Sequence, residues 1–317
     1  MEFAFMVAGF VLASYSVVAN DVIQTLGTFL SSNRERKWWI LWLYTGFILS
    51  AVLIYGWANY GGDVSYGRLT KVGDLPDPFH WWYALPPLVL LVITRLGIPV
   101  STTFLILSVF SSTRLISSMI LKSVVGYLLA FGVALAVYFA ISRVIEKKFL
   151  NSQHDMQDNR WVIAQWLSTG FLWSQWLIQD LANIYVFLPR ELPVTHLVAS
   201  LLLLLGLLAY IFYNKGGAIQ KIVTTKTNTA DIRSATIIDF IYGLILLFFK
   251  ELSDVPMSTT WVFVGLLAGR EIAISYRLSS KKPGAVLRLV ATDLGKVIIG
   301  LVVSVLLVLL INQLQSM

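Results

Sequence analysis

The stretch from Val17 to Thr28 reads Val-Val-Ala-Asn-Asp-Val-Ile-Gln-Thr-Leu-Gly-Thr and places a carboxylate and two amides inside an apolar segment. The surrounding run, from Phe3 to Leu30, is long enough to cross a lipid bilayer. A lone charge at that depth costs about 3 kcal/mol or more, so it faces a protein-lined cavity that holds something positive. We therefore predict that Asp21 is half of a cation-binding site.

Two sequence motifs occur twice, in the same order. The amide-carboxylate-spacer-spacer-amide pattern returns at Gln179–Asn183, where Asp180 follows Asp21 by 159 positions. The pattern Pro-x-Ser-Thr-Thr occurs at 99–103 and again at 256–260, an offset of 157 positions. The chain therefore reads as two related transmembrane halves, 1–141 and 161–317, joined by a polar linker at 142–160.

The composition identifies the class of protein. Of the 317 residues, 57% are hydrophobic and 13% are charged, and the mean hydropathy is +0.75. These values exclude a soluble globular domain and indicate a polytopic protein of the lipid bilayer. The chain has no cysteine, which excludes disulfides and thiolate chemistry. We assign the net charge of +7 to cytoplasmic loops and predict no nucleic-acid partner.

The apolar runs predict an all-α fold. Full spans are expected at 3–31, 38–60 and 115–141 in the first half, and at 161–188, 194–213 and 289–311 in the second. In each half the segment before the last span is broken, at Gly97–Pro99 within 81–113 and at Ser253–Pro256 within 236–268. Because a straight span is not built with such breaks, we predict one re-entrant helical hairpin per half.

Charge predicts the orientation. The loops at 32–37, 142–160, 214–235 and 269–288 carry sixteen basic residues, against four on the opposite side, which are Arg68, Lys71, Arg114 and Arg190. By the positive-inside rule the basic loops are cytoplasmic and both termini are external. Since each half has three crossings, the second half inserts upside down relative to the first. This is the inverted-topology repeat plan of many secondary transporters.

The Ser-Thr-Thr segments suit an anion. A proline at or near a helix start costs no hydrogen bond, and the residues after it present free N–H groups at the positive end of the helix dipole. With the hydroxyl groups they form a cradle of neutral donors, and two such cradles could enclose a tetrahedral oxyanion. The predicted substrate-binding residues are Ser101, Thr102, Thr103, Ser258, Thr259 and Thr260.

The Asn/Gln-Asp motifs suit a cation. Asp21 and Gln24, like Asp180 and Asn183, are three residues apart and share a helix face. Carboxylate and amide oxygens are hard ligands for Na⁺, and a carboxylate also takes a proton. Cations there would offset the charge of the anion, which gives a physical reason for coupling. The predicted cation-binding residues are Asn20, Asp21, Gln24, Gln179, Asp180 and Asn183, with Na⁺, if not H⁺, on the two aspartates.

These motifs resemble the inorganic phosphate transporter (PiT) family. Its duplicated signature reads roughly G-A-N-D-V-A-N-A-x-G-T/P, and a P-V-S-T-T-H motif follows later in each half. The resemblance spans both halves of the chain. It implies a symporter for inorganic phosphate coupled to Na⁺ or H⁺, with external termini, and it adds Thr28 to the cation-binding residues. We expect the protein in the cytoplasmic (inner) membrane of a bacterium, with no cofactor and with a homo-oligomer left open.

The chain departs from the family pattern at the motif positions Val18, Gln24, Phe104, Leu177, Gln179 and Trp261. The two aromatic residues stand where the family motif has histidine. Sulfate or another oxyanion therefore remains an alternative substrate, and an anion sensor without net flux remains an alternative function. The chain shows no nucleophile-base pair, so we predict that it is not an enzyme.

A structural role is the alternative for both motifs. The aspartates could pair with basic residues of the membrane segments and fix helix packing. Candidates for such a pairing are Arg95, Lys122, Lys250 and Lys296. Serine and threonine in membrane helices often bond their own backbone or join helices.

Overall fold

The computed structural model describes residues 1–95, 100–141, 159–216, 232–278 and 283–315. Within these ranges every regular element is helical. The first half contains α1 (Glu2–Val17), α2 (Ile23–Ser32), α3 (Trp38–Asn59), α4 (Arg68–Val72), α5 (Leu85–Arg95) and α6 (Thr113–Ile141). The second half contains α7 (Asn159–Tyr185), α8 (Val194–Tyr213), α9 (Ile232–Leu252), α10 (Thr259–Leu278) and α11 (Pro283–Gln315).

The first half also contains short helical turns of other types. A π-helical turn, Val18–Val22, joins α1 to α2, and a second π-helical turn covers Thr103–Leu107. Short 3-10 turns lie at Trp81–Ala84 and Ser108–Phe110. The predicted segment 81–113 is therefore broken, as expected, into α5 and the short turns that follow Val100.

Six described helices are long and apolar enough to cross a membrane, which confirms an integral membrane protein. Five of them coincide with predicted spans and contain α1, α3, α6, α8 and α11 in turn. The predicted span 161–188 corresponds to α7, which is not among the six. Its polar residues, such as Gln165 and Thr169, are buried inside the protein. A helix surrounded by other helices does not need a lipid-compatible surface.

The sixth candidate span is α9, which corrects the sequence prediction. We expected half-helices in 236–268, yet α9 and α10 have 21 and 20 residues, or about 30 Å each at 1.5 Å per residue. The break at 253–258 occurs as predicted. The predicted loop at 269–288 is wrong for its first ten residues, because α10 continues to Leu278, and for its last six, because α11 begins at Pro283.

Packing against α6 explains why α10 continues. Gly265 and Gly269 are four residues apart, and a side chain at either would collide with the backbone carbonyl of Tyr127 or Phe131 on α6. Small residues at this spacing let two membrane helices approach closely. Farther along, the Arg277 guanidinium lies 3.9 Å from the centroid of the Phe139 ring. The two helices therefore run parallel to each other.

Corresponding helices of the two halves pack antiparallel. The Phe10 ring of α1 lies 5.5 Å from the Tyr185 ring near the end of α7. The Phe29 ring of α2 lies 5.2 Å from Trp166 near the start of α7. Since the chain positions rise on one side and fall on the other, α1–α2 and α7 run in opposite directions.

The same holds for α3 and α8. The Trp38 and Tyr213 rings lie 5.7 Å apart at one end, and Trp57 Nε1 donates a 2.8 Å hydrogen bond to the Leu192 carbonyl at the other. Lys37 and Lys215 line one cavity at the first end. At the opposite end lie both described chain ends, where the Phe3 ring is 6.4 Å from His196 and Gln315 bonds Tyr83.

Several predicted features lie outside the described residues. These are Gly97 and Pro99 at the first break, the linker at 142–158, and parts of the basic loops at 217–231 and 279–282.

Candidate functional site

Asp21 lies in the π-helical turn between α1 and α2 and is completely buried. Its Oδ2 accepts a 2.5 Å hydrogen bond from Thr102 Oγ1. Its Oδ1 accepts a 2.7 Å bond from the Asn20 amide, which also donates 2.9 Å to the Val100 carbonyl. Both motifs of the first half thus meet at one carboxylate.

Asp180 lies within α7 and is equally buried. Its Oδ1 accepts a 2.8 Å hydrogen bond from Asn183 Nδ2 and a 3.4 Å bond from Thr103 Oγ1. The Thr103 hydroxyl also lies 3.1 Å from the Met257 carbonyl, just before the second Ser-Thr-Thr segment. A threonine of the first half therefore contacts the aspartate of the second half.

A chain of hydrogen bonds links the two carboxylates. Asn183 Nδ2 donates to Thr102 Oγ1 at 2.9 Å, and Thr102 in turn donates to Asp21. The same amide donates to Asp180. The two predicted cation-binding aspartates and both motif types therefore belong to one buried cluster, which we call the central cluster.

The two Ser-Thr-Thr segments begin their helical turns in the same way. Ser101 Oγ accepts from Phe104 N, and Ser258 Oγ accepts from Trp261 N, both at 3.2 Å. Each serine therefore acts as an N-cap. In the second segment, Pro256 lies three positions before the start of α10. The capping oxygens are engaged, while the serine hydroxyl hydrogens remain able to donate.

The second segment contacts the first directly. Thr260 Oγ1 lies 3.3 Å from the Val100 carbonyl, and Thr259 is a neighbour of the Asp180 carboxyl group. The Phe104 and Trp261 rings, at the two positions where the family has histidine, lie 5.4 Å apart. Aromatic packing thus joins the two segments at these positions.

Most of the buried polar atoms that lack a hydrogen-bond partner around the central cluster are oxygens. Among the described residues they are Asn20 Oδ1, Gln24 Oε1, Gln179 Oε1, Asp180 Oδ2 and Asn183 Oδ1. All five belong to predicted cation-binding residues. Buried polar atoms rarely stay unpartnered in native proteins, and carboxylate and amide oxygens are ligands that Na⁺ accepts. The donor set therefore fits the predicted cations.

Three predicted residues stand apart from the hydrogen bonds of the cluster. Gln24 is buried, yet neither of its amide atoms has a partner in the described residues. Gln179 donates instead to the Leu246 carbonyl of α9, at 2.9 Å. Thr28 donates a 2.6 Å bond to Asp239.

Asp239 is a buried carboxylate that the sequence interpretation missed. It accepts from Thr28 at 2.6 Å and from Thr169 at 2.5 Å, so it ties α9 to α2 and α7. The signal was present, because Asp239 lies within the apolar segment Ile237–Ile241 just as Asp21 lies within its own. Arg68 was likewise missed, since it was counted as an external loop charge and is in fact buried.

A large cavity lies elsewhere in the described part of the chain. It has a volume of about 1110 Å³ and is lined almost entirely by apolar side chains of α6, α7 and α9, among them Val133, Phe171 and Phe240. It holds no charged group, so the central cluster rather than this groove is the candidate site.

Comparison with known proteins supports a transporter fold. One solved structure, described as the sodium-dependent phosphate transporter, matches with a TM-score of 0.59 at 18% sequence identity. The match covers 98% of this chain and 98% of that one. No family model matches the chain, and no curated protein does so significantly. The chain therefore shares its fold with that structure along nearly its whole length, in agreement with the resemblance inferred from the motifs.

Proposed function

We propose that the chain is a divergent relative of the PiT family and a cation-coupled symporter of inorganic phosphate. The observation that carries this proposal is the central cluster, where Thr102 of the first Ser-Thr-Thr segment bonds Asp21. Thr103 of the same segment contacts both Asp180 and the Met257 carbonyl, which immediately precedes the second segment. The hydroxyl hydrogens of Ser101 and Ser258 remain free to donate to an oxyanion, and the unpartnered oxygens of the Asn/Gln-Asp motifs suit a cation. The neighbour of similar fold is itself described as a sodium-dependent phosphate transporter.

Alternating access follows from an inverted repeat of 1–141 and 161–317. The antiparallel packing of α1–α2 with α7 and of α3 with α8 supports this arrangement. In such folds the two repeats move against each other around a site near the middle of the bilayer. The central cluster, which takes residues from both halves, lies at such an interface.

The proposed orientation places both termini outside the cell and the basic loops in the cytoplasm. The ends at Phe3 and Gln315 lie at one end of the molecule, while Lys37 and Lys215 lie at the other. The positive-inside rule then assigns the lysine end to the cytoplasm. The bacterial inner membrane is the corresponding proposed location.

The carboxylates favour phosphate over sulfate. A carboxylate only accepts hydrogen bonds, and Asp180 Oδ2 has no partner among the described residues. Phosphate keeps at least one proton near neutral pH and can donate it to such an oxygen, whereas sulfate has none. We therefore expect unlabelled phosphate to compete for uptake far more strongly than sulfate.

Uptake of labelled phosphate into proteoliposomes tests the proposal. An inward Na⁺ gradient, or an inward proton gradient in the other arm, is expected to drive accumulation above equilibrium. Absence of gradient-driven uptake for phosphate, sulfate and arsenate alike would reject a symporter. Saturable phosphate binding without uptake would instead indicate an anion sensor.

A further inference from the structure

The loop between α3 and α4 is built to direct one arginine inward. Asp63 Oδ1 accepts from Ser65 N and Ser65 Oγ at 2.6 Å each, and Asp63 Oδ2 accepts from Gly67 N at 2.9 Å. Tyr66 and Gly67 both have positive φ, of 59° and 76°. A non-glycine residue in that conformation is uncommon and marks a specified turn. The turn starts α4 with Arg68.

Arg68 is only 2% exposed, although it belongs to a connecting segment. Its Nε donates a 3.0 Å hydrogen bond to the Ile178 carbonyl in α7, two positions before Asp180. Its Nη1 is buried and has no hydrogen-bond partner among the described residues. A buried guanidinium group is costly unless a negative charge lies nearby.

The negative charges near Arg68 are Asp180 and Asp254. Asp254 is exposed, whereas Asp180 is buried and its Oδ2 lacks a partner in the described structure. Lys122 is the second nearby cation, and it donates to the carbonyls of Ser253 and Val255, both at 2.8 Å. These four groups balance to a net charge of zero without any added ion.

The Asp21 carboxyl group has different surroundings. Its described neighbours are Asp180, Thr102 and Asn20, which bring no positive charge. A second carboxylate in the same buried cluster makes the charge on Asp21 more costly. The two motif copies therefore differ in where their counter-charge can come from.

We infer that Arg68 serves as a resident cation for Asp180, so that only the Asp21 site takes a mobile coupling cation. The inference rests on the proposed function and assigns a stoichiometry to it. Transport would then move one coupling cation at the aspartate pair, where two equivalent copies would move two. Arg68 acts as a positioning and charge-balancing residue and does not touch the transported ions.

Counting bound cations tests the inference. Purified protein titrated with radiolabelled Na⁺ in the presence of phosphate is expected to bind about one Na⁺ at the aspartate pair, and Arg68→Gln about two. In proteoliposomes the Hill coefficient for Na⁺ is expected to rise from about 1 to about 2 in Arg68→Gln. The double variant Arg68→Gln/Asp180→Asn is expected to return both values to those of the wild type.

Two control variants separate the charge from other effects. Lys71 is exposed on the same short helix, so Lys71→Gln removes an equal charge and is expected to change neither count. Arg68→Lys keeps the charge and is expected to bind the same number of sodium ions as the wild type. If Arg68→Gln does not fold, the wild-type count still decides, because two sodium ions at the aspartate pair overturn the inference.

Three further outcomes of these experiments separate the role of Arg68 from the proposed function. An Arg68→Gln protein that binds the wild-type number of cations but needs more than tenfold more phosphate for half-maximal uptake would assign Arg68 to the anion and overturn the inference. If neither protein binds Na⁺, protons taken up with phosphate are counted in weak buffer, with one in the wild type and two in the variant expected. A wild type without gradient-driven uptake rejects the proposed function, while the cation count still tests the role of Arg68.

Discussion

The two copies of the Asn/Gln-Asp motif share residue types but differ in backbone and in charge. Asp21 lies in a π-helical turn, whereas Asp180 lies in the uninterrupted helix α7. Arg68 approaches Asp180, and the described neighbours of Asp21 bring no positive charge. The Ser-Thr-Thr segments differ in parallel, because the first leads into a π-helical turn and the second into the α-helix α10. A duplicated motif can thus hold two unequal sites, because the neighbours differ even where the motif does not.

The largest expected effect separates the two aspartates. Asp21→Asn removes the only negative charge proposed for the mobile cation, so uptake is expected to fall by about 100-fold or more and to lose its cation dependence. Asp180→Asn is expected to lower uptake by only about tenfold and to keep that dependence. Initial uptake rates at varied Na⁺ and pH measure both. Equal loss of cation dependence in the two variants would remove the asymmetry.

A smaller effect separates two threonines of the central cluster. Thr102 donates to Asp21 and accepts from Asn183, whereas Thr260 makes one 3.3 Å bond to a carbonyl. Thr102→Val takes away the hydroxyl that donates to the buried Asp21 Oδ2 and one of the acceptors of Asn183, at about 2 kcal/mol, so the half-saturating cation concentration is expected to rise about 30-fold. Thr260→Val is expected to raise it less than about threefold. The same titrations of uptake against cation concentration compare the two, and similar shifts would contradict the unequal roles.

The next effect concerns the support of the second Ser-Thr-Thr segment. Gly269→Ala would push a methyl group into the Phe131 carbonyl of α6, and overpacking of this kind destabilises by about 1 to 3 kcal/mol. Gly295→Ala on α11 meets nothing within 4 Å, so it is expected to stabilise by up to about 1 kcal/mol. Thermal unfolding of the purified variants in detergent gives the comparison. A Gly269→Ala protein as stable as the wild type would show that α6 and α10 are not held closely together.

The smallest effect concerns the amide three residues after each aspartate. Asn183 bonds Asp180 and both threonines, whereas the Gln24 amide has no partner in the described part of the chain. Gln24→Asn makes the first copy more like the second. It is expected to lower the half-saturating cation concentration by about two- to fivefold, which corresponds to one hydrogen bond. Gln24→Ala is the matched control and is expected to raise that concentration. If Gln24→Asn lowers the half-saturating cation concentration more than about tenfold, Gln24 disrupts the cation site in the wild type, which is more than the lack of one hydrogen bond.

Much of the fold could be predicted because membrane spans are long and apolar. The span at 194–213 has the bounds of α8, and the break before the second Ser-Thr-Thr segment occurs where Ser253 and Pro256 interrupt the apolar run. The repetition of the motifs singled out the residues that form the central cluster. Repetition at a fixed offset carries long-range information that a single segment does not have.

The remainder depends on contacts between distant segments. Arg68 had the sequence signature of a loop charge, and only the turn at Asp63 and the acceptor at Ile178 explain its burial. The length of α10 depends on its packing against α6, which hydropathy does not register. The π-helical turns have no signal in the amino-acid composition, since they depend on how both sides of the helix pack. Asp239 is different, because the rule that identified Asp21 also applied to it.

The π-helical turn at Val18–Val22 has a mechanical consequence. Such a turn holds one residue more than a turn of the α-helix around it. The first transmembrane helix, α1–α2, therefore contains one extra residue at the level of Asp21. Shifting that extra residue up or down would swing the side chains it passes by about 100° around the axis, since an α-helix turns once in 3.6 residues. The helix formed by α1 and α2 can therefore rotate about its axis at Asp21 without a proline or a break. The regular helix α7 has no extra residue that would allow the same rotation at Asp180.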